Sequence, residues 1–572
     1  MKSGRINLIL ILIILFGAAI IGKLFFIQIL HYEYWKALAQ GQQKFFAQIQ
    51  GERGEIFLQG KKEGNLYTLA SNKNWELVYI SPEEITAKGQ DPTKTAKALG
   101  QVLNLDEDLI LEKIKKSDSL YALLKNKLTQ EEIELLKKLN LSGIYLGSEI
   151  LRYYPQETLA SHVVGFLGGD NIGQYGVEGY YNGLLKGQEG FQEGEKGAQG
   201  YLVKMTSGSI KRGSDLILTL DYNIQFVAEK LLREAKENLD AESGQIIVGD
   251  PNSGKILALA NFPNFNPNQY WKEENLEIFQ NSVSQKLFEP GSVFKPITMA
   301  AALDKAAITP QTTYIDPGII EIGGWPIYNY DQRVYPGKIT MTEVLEKSIN
   351  TGAVFAERQI SHQTFLDYIE KFGFFEPIGI DLQGEVFSTN SNLKKGYEVN
   401  FATASFGQGI EMTPIQLFGA FSAISNGGKL VKPYLLEPPS PLLDSSAENN
   451  QSKSGGGQVI SQKTAAQLTA MLVSVVENGF GKSAKIPGYY IAGKTGTAQI
   501  AFSALGIDKS GYSEKTIQTF AGFAPAFNPR FLILVKLDNP KTRTAEYSAV
   551  PIFRELAKYI IDYYQIPPDY QE

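Results

Sequence analysis

The chain of 572 residues is long enough for three or four domains and at least one large core. It carries 55 Lys and Arg against 61 Asp and Glu, a net charge of −6 with no long basic run, which argues against nucleic acid as a partner. There is no cysteine, so disulfides, thiolate metal sites and cysteine nucleophiles are excluded; the three histidines, His31, His162 and His362, are scattered without metal-ligand spacing, so no metal, no cofactor and no Ser-His-Asp triad is expected.

In chain order, Lys2 and Arg5 precede the uncharged run Leu8 to Gly22, and apolar character resumes after Lys23 through Leu30. The stretch is long enough to cross a bilayer, with Lys23 able to snorkel to an interface. Leu8 to Ile21 also fits the apolar part of a signal peptide, but no small-x-small cleavage site follows, so the reading is an uncleaved single-pass anchor over residues 1–30. Positive charge at the short end places that end in the cytoplasm and the bulk of the chain outside.

Residues 31–210 read as an elongated non-catalytic region. Lys44 to Ile56 and Tyr67 to Ile80 have strand composition, and a helical subdomain is expected over about 93–141, where Leu109, Ile110, Ile114, Leu120, Leu123, Leu124, Ile133, Leu135 and Leu136 recur at spacings of three and four. A glycine-rich stretch from Gly165 to Gly200 predicts turns and short pieces.

A further domain is expected over residues 211–572. Asp221 is placed as the N-cap of a helix whose face carries Ile224, Val227, Leu231, Ala235 and Leu239. Gln245 to Gly249 and Lys255 to Ala260 read as a hairpin, and Tyr489 to Ala498, Thr516 to Ala524 and Phe531 to Leu537 as later strands before a final helix, Ala549 to Tyr563. Helix and hairpin first, strands and helix last, predict one antiparallel sheet interrupted by a large helical insertion. Pro438 to Gln458, rich in Pro, Ser, Asn and Gly, predicts a mobile surface loop.

The insertion opens with Glu289-Pro290-Gly291-Ser292-Val293-Phe294-Lys295. Three residues apart on a helix, Ser292 and Lys295 share a face one turn apart, a nucleophile beside a base once the amine is neutral. Ser391-Asn392-Leu393-Lys394 has the same spacing. An acyl-transfer nucleophile also needs a proton shuttle, a group to orient an amide, a cation for a carboxylate and oxyanion donors. Ser348-Ile349-Asn350 offers a hydroxyl and an amide, and Lys494-Thr495-Gly496-Thr497 lies in an expected strand, where Lys494 can face a cleft and Gly496 admits a close backbone. Ser388-Thr389-Asn390, Lys453-Ser454-Gly455 and Lys509-Ser510-Gly511 are similar triplets in the wrong order or context.

In order, Ser292-x-x-Lys295, Ser348-x-Asn350 and Lys494-Thr495-Gly496 resemble the three motifs shared by penicillin-binding proteins and serine β-lactamases. The likeness covers most of the chain and is to class B penicillin-binding proteins. It extends to Tyr175 through Asn182, Leu218 to Asp221 with Ile224-Gln225, and Phe262-Pro263 with Asn266-Pro267-Asn268. It also takes in Ser405 to Gly409 with Thr413-Pro414, Asn426-Gly427-Gly428, and Gly493 to Gln499. Two features depart: Phe57-Leu58-Gln59-Gly60 follows Arg53-Gly54-Glu55-Ile56 where members often have Asp-Arg-Asn-Gly, and no repeated cell-wall-sensing module follows Tyr563.

The resemblance implies an α+β transpeptidase fold, a five-stranded antiparallel sheet flanked by helices plus an all-helical insertion, behind a transmembrane helix and a β-rich pedestal. It implies a D,D-transpeptidase acting on peptidoglycan stem peptides ending in D-alanyl-D-alanine, with an amine acceptor, inhibited covalently by β-lactams. Ser292 would be the nucleophile, Lys295 the base with a pKa lowered by burial and by Lys494, Ser348 the proton relay and Asn350 the amide holder. Lys494, Thr495 and Thr497, with Gly496, would bind the terminal carboxylate, and the backbone N–H groups of Ser292 and Thr497 would form the oxyanion hole. A polytopic glycan polymerase and the other proteins of a division or elongation complex are the implied partners; chain length and the compact pedestal favour division.

Overall fold

The computed structural model of the chain describes residues 44–62, 64–116, 119–196, 202–207, 211–437 and 457–571, with 15–18, 20–23 and 25 near the amino end. Most of the expected anchor and residues 438–456 of the expected loop lie outside the described residues; no helix among those described is long and apolar enough to cross a membrane. Gly457 and Gln458, at the loop's end, are pinned: Leu430 N donates to Gly457 O at 3.1 Å and Gln458 bridges Lys429. The chain divides into two units, Met1–Gly54 with Gly183–Ser214, and Glu55–Asn182 with Asp215–Glu572.

In the first unit Glu189–Lys196 pairs antiparallel with Lys44–Gln50 on one side and Leu202–Ser207 on the other. The glycine-rich stretch thus contains a full strand where only turns were expected. The strand expected to reach Ile56 stops at Gln50, where Gly51 and Gly54 turn the chain and donate to Gln188 O and Leu185 O.

In the second unit the fifteen-residue strand Leu66–Ile80 organises the amino-terminal part, pairing with Ile56–Gln59, Ala122–Lys125 and Ile144–Tyr153. The Phe57-to-Gly60 departure leaves a hairpin in place, closed by Gly60 N donating to Asn65 O at 2.8 Å. Helices Pro92–Leu103, Glu107–Lys115 and Gln130–Leu139 start at side-chain caps, Asp91, Asp106 and the Thr129/Glu132 capping box. They bury Leu99, Leu103, Ile110, Ile114, Ile133 and Leu136 against Val78 and Ile80, each side chain contributing about 1.5–3 kcal/mol. The helical reading fails at Ala122–Lys125: pairing with the end of Leu66–Ile80 overrides the leucine spacing, and Leu120 and Leu109 are left exposed.

The carboxy-terminal part begins with helix α1, Tyr222–Leu239, capped by Asp221, which accepts from Asn223 N and Ile224 N. A hairpin follows, β1 Ser243–Gly249 and β2 Ile256–Phe262. Then come helices α2, Lys295–Asp304, and α3, Asn350–Glu357, and the late strands β3 Ala492–Ala501, β4 Tyr512–Ala524 and β5 Phe531–Asp538, closed by α4, Ala549–Tyr564. The sheet order is β2-β1-β5-β4-β3, antiparallel throughout, so β3 is an edge. Ile224, Leu231, Ala235, Phe553, Leu556 and Ile560 cover one sheet face, packing on Ile246, Val248, Phe520, Ile533 and Val535.

The insertion between β2 and β3 is not all helical. Thr313–Ile315 pairs with Lys338–Thr340, and Ile319–Ile322 pairs with Trp325–Tyr328 across Gly323-Gly324, both glycines at positive φ as a tight hairpin turn requires. Within it, helix Pro414–Ser425 is buried all round, opened by a Thr413/Gln416 capping box with proline in the first turn.

Candidate active site

Ser292 lies in a single 3₁₀ turn, Gly291–Phe294, that runs directly into α2. Val293 and Phe294 are fully buried and anchor the turn, while Ser292 is half-buried at its surface. The turn is pressed against the edge strand. A Cβ on Gly496 would sit 3.1 Å from Val293 N and 2.9 Å from Pro290 O, the latter closer than carbon tolerates, so glycine is what lets β3 reach the serine turn. Gly291, at φ +60, donates its N–H to Gly407 O at 2.9 Å, and Gly407, at φ +82, has no room for a side chain against Gly291 O.

One turn along, Lys295 is fully buried. Its Nζ donates to Ser348 O at 2.5 Å and to Asn350 Oδ1 at 2.8 Å and lies 3.3 Å from Ser348 Oγ. Lys494, also fully buried, reaches the same hydroxyl from β3: its Nζ is 3.0 Å from Ser348 Oγ and from Thr495 O. Ser348 Oγ therefore bridges two amines. Its backbone is held at φ +52, a left-handed conformation that costs a non-glycine residue about 1 kcal/mol or more and needs its surroundings to maintain it. Asn350 opens α3 and donates from Nδ2 to Tyr328 O at 2.8 Å.

Burial disfavours both ammonium ions. It pushes Lys494 down to about 7, and pushes Lys295 well below the ordinary lysine range with the charge of Lys494 as the second cause. Among the described residues no hydrogen bond joins Ser292 Oγ to Lys295 Nζ; Ser348 and Asn350 hold the amine. Catalytic hydrogen bonds are often long or poorly aligned before substrate binds.

Strand alternation sorts the remaining residues. Thr495, Thr497 and Gln499 line a cleft of about 1120 Å³ with Ser292, Asn350 and Tyr328. Lys494 and Gly496 alternate with them, so Lys494 does not face the open cleft as expected but lies buried beneath Ser348. Thr497 Oγ1 accepts from Ala545 N at 3.2 Å. The cleft walls hold residues that sequence reasoning did not select: Trp325, Tyr330, Arg333, Phe480, Tyr512 and Arg543. Of these, only Trp325 has a sequence signal that could have found it, the Gly323-Gly324 turn just before it, and that signal was not read. Glu289, in the serine heptapeptide itself, is raised to about 7 by burial and accepts from Tyr512 OH at 2.9 Å.

The look-alike segments are elsewhere. Ser391 and Lys394 are exposed on a four-residue helix, and Lys509 and Ser510 are exposed; Lys453 lies outside the described residues. His162 is buried, pushed down to about 4 by burial, with Nε2 2.8 Å from Ile278 O, and His362 stacks on Phe401. No group of acidic and histidine side chains among the described residues has the arrangement of a metal site.

A model of the penicillin-binding protein transpeptidase domain matches residues 244–558, and one of the penicillin-binding protein dimerisation domain matches 48–218. The chain belongs to the class B penicillin-binding proteins. It is 33% identical to stage V sporulation protein D of Bacillus subtilis, over 93% of this chain and 82% of the relative. It is 29% identical to the peptidoglycan D,D-transpeptidase FtsI homolog of Mesostigma viride, over 99% and 96%. Among solved structures it resembles penicillin-binding protein 3 of Mycobacterium tuberculosis in complex with aztreonam, with a TM-score of 0.67 and 26% identity over 92% of this chain and 98% of that one. Other sequence likenesses acquire structural reasons here. Asn268 exchanges hydrogen bonds with the Tyr154 backbone at 2.8 and 3.0 Å, and Glu178 is buried against Arg152 at 2.7 Å.

Proposed function

We propose that this class B penicillin-binding protein is a serine D-Ala-D-Ala transpeptidase that cross-links peptidoglycan through a Ser292 acyl-enzyme. The observation that carries the residue assignment is the convergence of Lys295 and Lys494 on the Ser348 hydroxyl, with Asn350 holding Lys295, beside the turn that presents Ser292. Ser292 Oγ attacks the carbonyl of the penultimate D-alanine and gives its proton to the neutral amine of Lys295. The backbone N–H groups of Ser292 and Thr497 take the developing oxyanion. Ser348, between the two amines, relays a proton to the departing terminal D-alanine as the C–N bond breaks. An acceptor amine then attacks the ester carbonyl, its proton returns through Lys295, and Ser292 is regenerated. Asn350 holds the donor amide; Thr495 and Thr497 hold the terminal carboxylate over the charge of Lys494. A β-lactam mimics the donor end and leaves Ser292 acylated.

Residues 1–30 are read as a cytoplasmic tip and membrane anchor, 31–210 as a non-catalytic pedestal and 211–572 as the transpeptidase domain outside the cytoplasmic membrane; the family-model matches over 48–218 and 244–558 support the second and third parts. A polytopic glycan polymerase of the division machinery is the proposed partner. A fluorescent fusion at the septum in the native cell supports this, and side-wall localisation points to elongation.

The test of function is incubation of the full chain with purified lipid-linked precursor and a glycan polymerase. Cross-linked muropeptides support the transpeptidase; donor peptides shortened by one D-alanine without cross-links mark a carboxypeptidase, and a stable penicilloyl adduct with neither product marks a β-lactam sensor.

A further inference from the structure

Behind the Ser348–Asn350 turn lies a buried carboxylate that the reaction above does not use. Asp316 directly follows strand Thr313–Ile315 and is 5% exposed. Its Oδ1 accepts from Thr351 Oγ1 at 2.7 Å, Gly318 N at 3.0 Å and Asn329 Nδ2 at 3.1 Å. Its Oδ2 accepts from Tyr335 N at 2.9 Å and Asn329 Nδ2 at 3.0 Å. An amide could not replace it, because four donor groups converge on two oxygens and an amide offers one. Burial alone would raise this carboxyl, but the hydrogen bonds from Thr351, Gly318, Tyr335 and Asn329 outweigh it and hold the group below the ordinary carboxylate range.

The carboxylate reaches the site through two residues. Thr351 is fully buried and is the neighbour of Asn350. Its hydroxyl has one proton, which the 2.7 Å contact assigns to Asp316, while its backbone N–H donates to Asn329 Oδ1 at 3.1 Å. Asn329 follows Tyr328, whose carbonyl accepts from Asn350 Nδ2, and it also donates to Arg333 O at 3.0 Å. The knot thus fixes the amino end of α3 from below and ties the Trp325–Tyr328 cleft wall to it from the side. The residue just above, Ser348, carries the left-handed backbone that cannot hold itself.

We propose that Asp316, acting through Thr351 and Asn329, is a positioning residue that holds the Ser348–Asn350 turn where it meets Lys295 and Lys494. It touches neither substrate nor the reacting atoms, and the inference rests on Ser292 being the acylated residue. The charged and polar groups facing Lys295 are Lys494 from β3 and Ser348 and Asn350 from the turn, so a loosened turn takes two acceptors from the amine. Those acceptors favour the protonated amine, and losing them lowers its pKa further. A loosened site is therefore slower at its plateau, with an acid limb displaced to lower pH.

The experiment measures second-order acylation of the full chain by a fluorescent penicillin against pH, for the wild type, Thr351→Val, Asp316→Asn and Thr351→Ser, with thermal unfolding alongside. Thr351→Val and Asp316→Asn are expected to acylate roughly tenfold more slowly or worse, with the acid limb at lower pH, while Thr351→Ser, which keeps the hydroxyl, stays near wild type. Wild-type rates and an unmoved limb in the first two, a Thr351→Ser as slow as Thr351→Val, or rates that fall only in step with the folded fraction overturn the proposal. Labelling of Ser292→Ala overturns the acyl-enzyme reading instead, so the two failures are distinct.

Discussion

Ser292 and Ser391 each stand one helical turn before a lysine, yet what surrounds the two pairs differs in every respect that matters to nucleophilicity. Ser292 opens onto a ten-residue helix with nine buried positions, and Lys295 is sealed beneath it among Ser348, Asn350 and Lys494. Ser391 opens a four-residue helix in which only Leu393 is buried, and Lys394 lies over the Phe375 ring at 4.4 Å in the open. Spacing makes serine and lysine neighbours. Burial and a second cation lower a lysine's pKa, which a general base at neutral pH requires, and of the two pairs only the first has them.

The sharpest way to break this contrast is to keep both charges and remove only the ability to lose one. Lys295→Arg cannot deprotonate near neutrality, and β-lactam acylation should fall roughly 10²–10⁴-fold; Lys394→Arg should acylate at the wild-type rate. A comparable rate in Lys295→Arg would remove the base assignment. Next in size is Gly496→Ala. Its methyl group would meet Pro290 O at 2.9 Å and push the edge strand from the serine turn. Misplacement on that scale is expected to cost roughly 10²-fold in acylation rate, with the rest of the sheet intact by circular dichroism.

The pH profile sharpens the comparison further. On the proposed mechanism, acylation needs Lys295 neutral, so the rate should rise as pH passes upward through its depressed pKa. It needs Lys494 charged to receive a carboxylate, so the rate falls as pH passes about 7 in the free enzyme. The result is a bell for the second-order constant, each limb approaching roughly tenfold per pH unit. With a β-lactam esterified at its carboxylate the falling limb should vanish; its persistence would mean that Lys494 does not serve the carboxylate. Smallest of all, Ser391→Ala is expected to change unfolding free energy by no more than about 0.5 kcal/mol, as for an exposed residue outside the core, which chemical denaturation will measure.

Much of the scaffold was legible from residues alone because local signals and tertiary demands agreed. Asp221 caps α1 as its sequence implies, the β1–β2 hairpin closes on its Asp-Pro-Asn-Ser-Gly turn, and the three late strands form close to where they are expected, with β3 on the edge and β4 and β5 buried within the sheet. Agreement failed where pairing partners lie far off in sequence. Ala122–Lys125 carries a helical leucine spacing but is captured by the end of Leu66–Ile80, and Glu189–Lys196 is a strand, despite its glycines, because Lys44–Gln50 pairs with it. At the site, the spacing of Ser292 and Lys295 and the strand position of Lys494 could be read, but not that Lys494 is buried under Ser348, which depends on where α3 and β3 meet. Asp316, Asn329 and Thr351 carried no motif at all, since their partnership spans 35 residues of chain and exists only once the hairpin wall has folded onto α3.

On the proposed mechanism, burial beside Lys494 turns one Ser-x-x-Lys pair into a nucleophile and leaves the other inert. Peptide mapping by mass spectrometry of the full chain after penicillin treatment distinguishes the two. A penicilloyl mass on the peptide containing Ser292, with the peptide containing Ser391 unmodified, is the predicted result, and an adduct on Ser391 or Ser348 would contradict it.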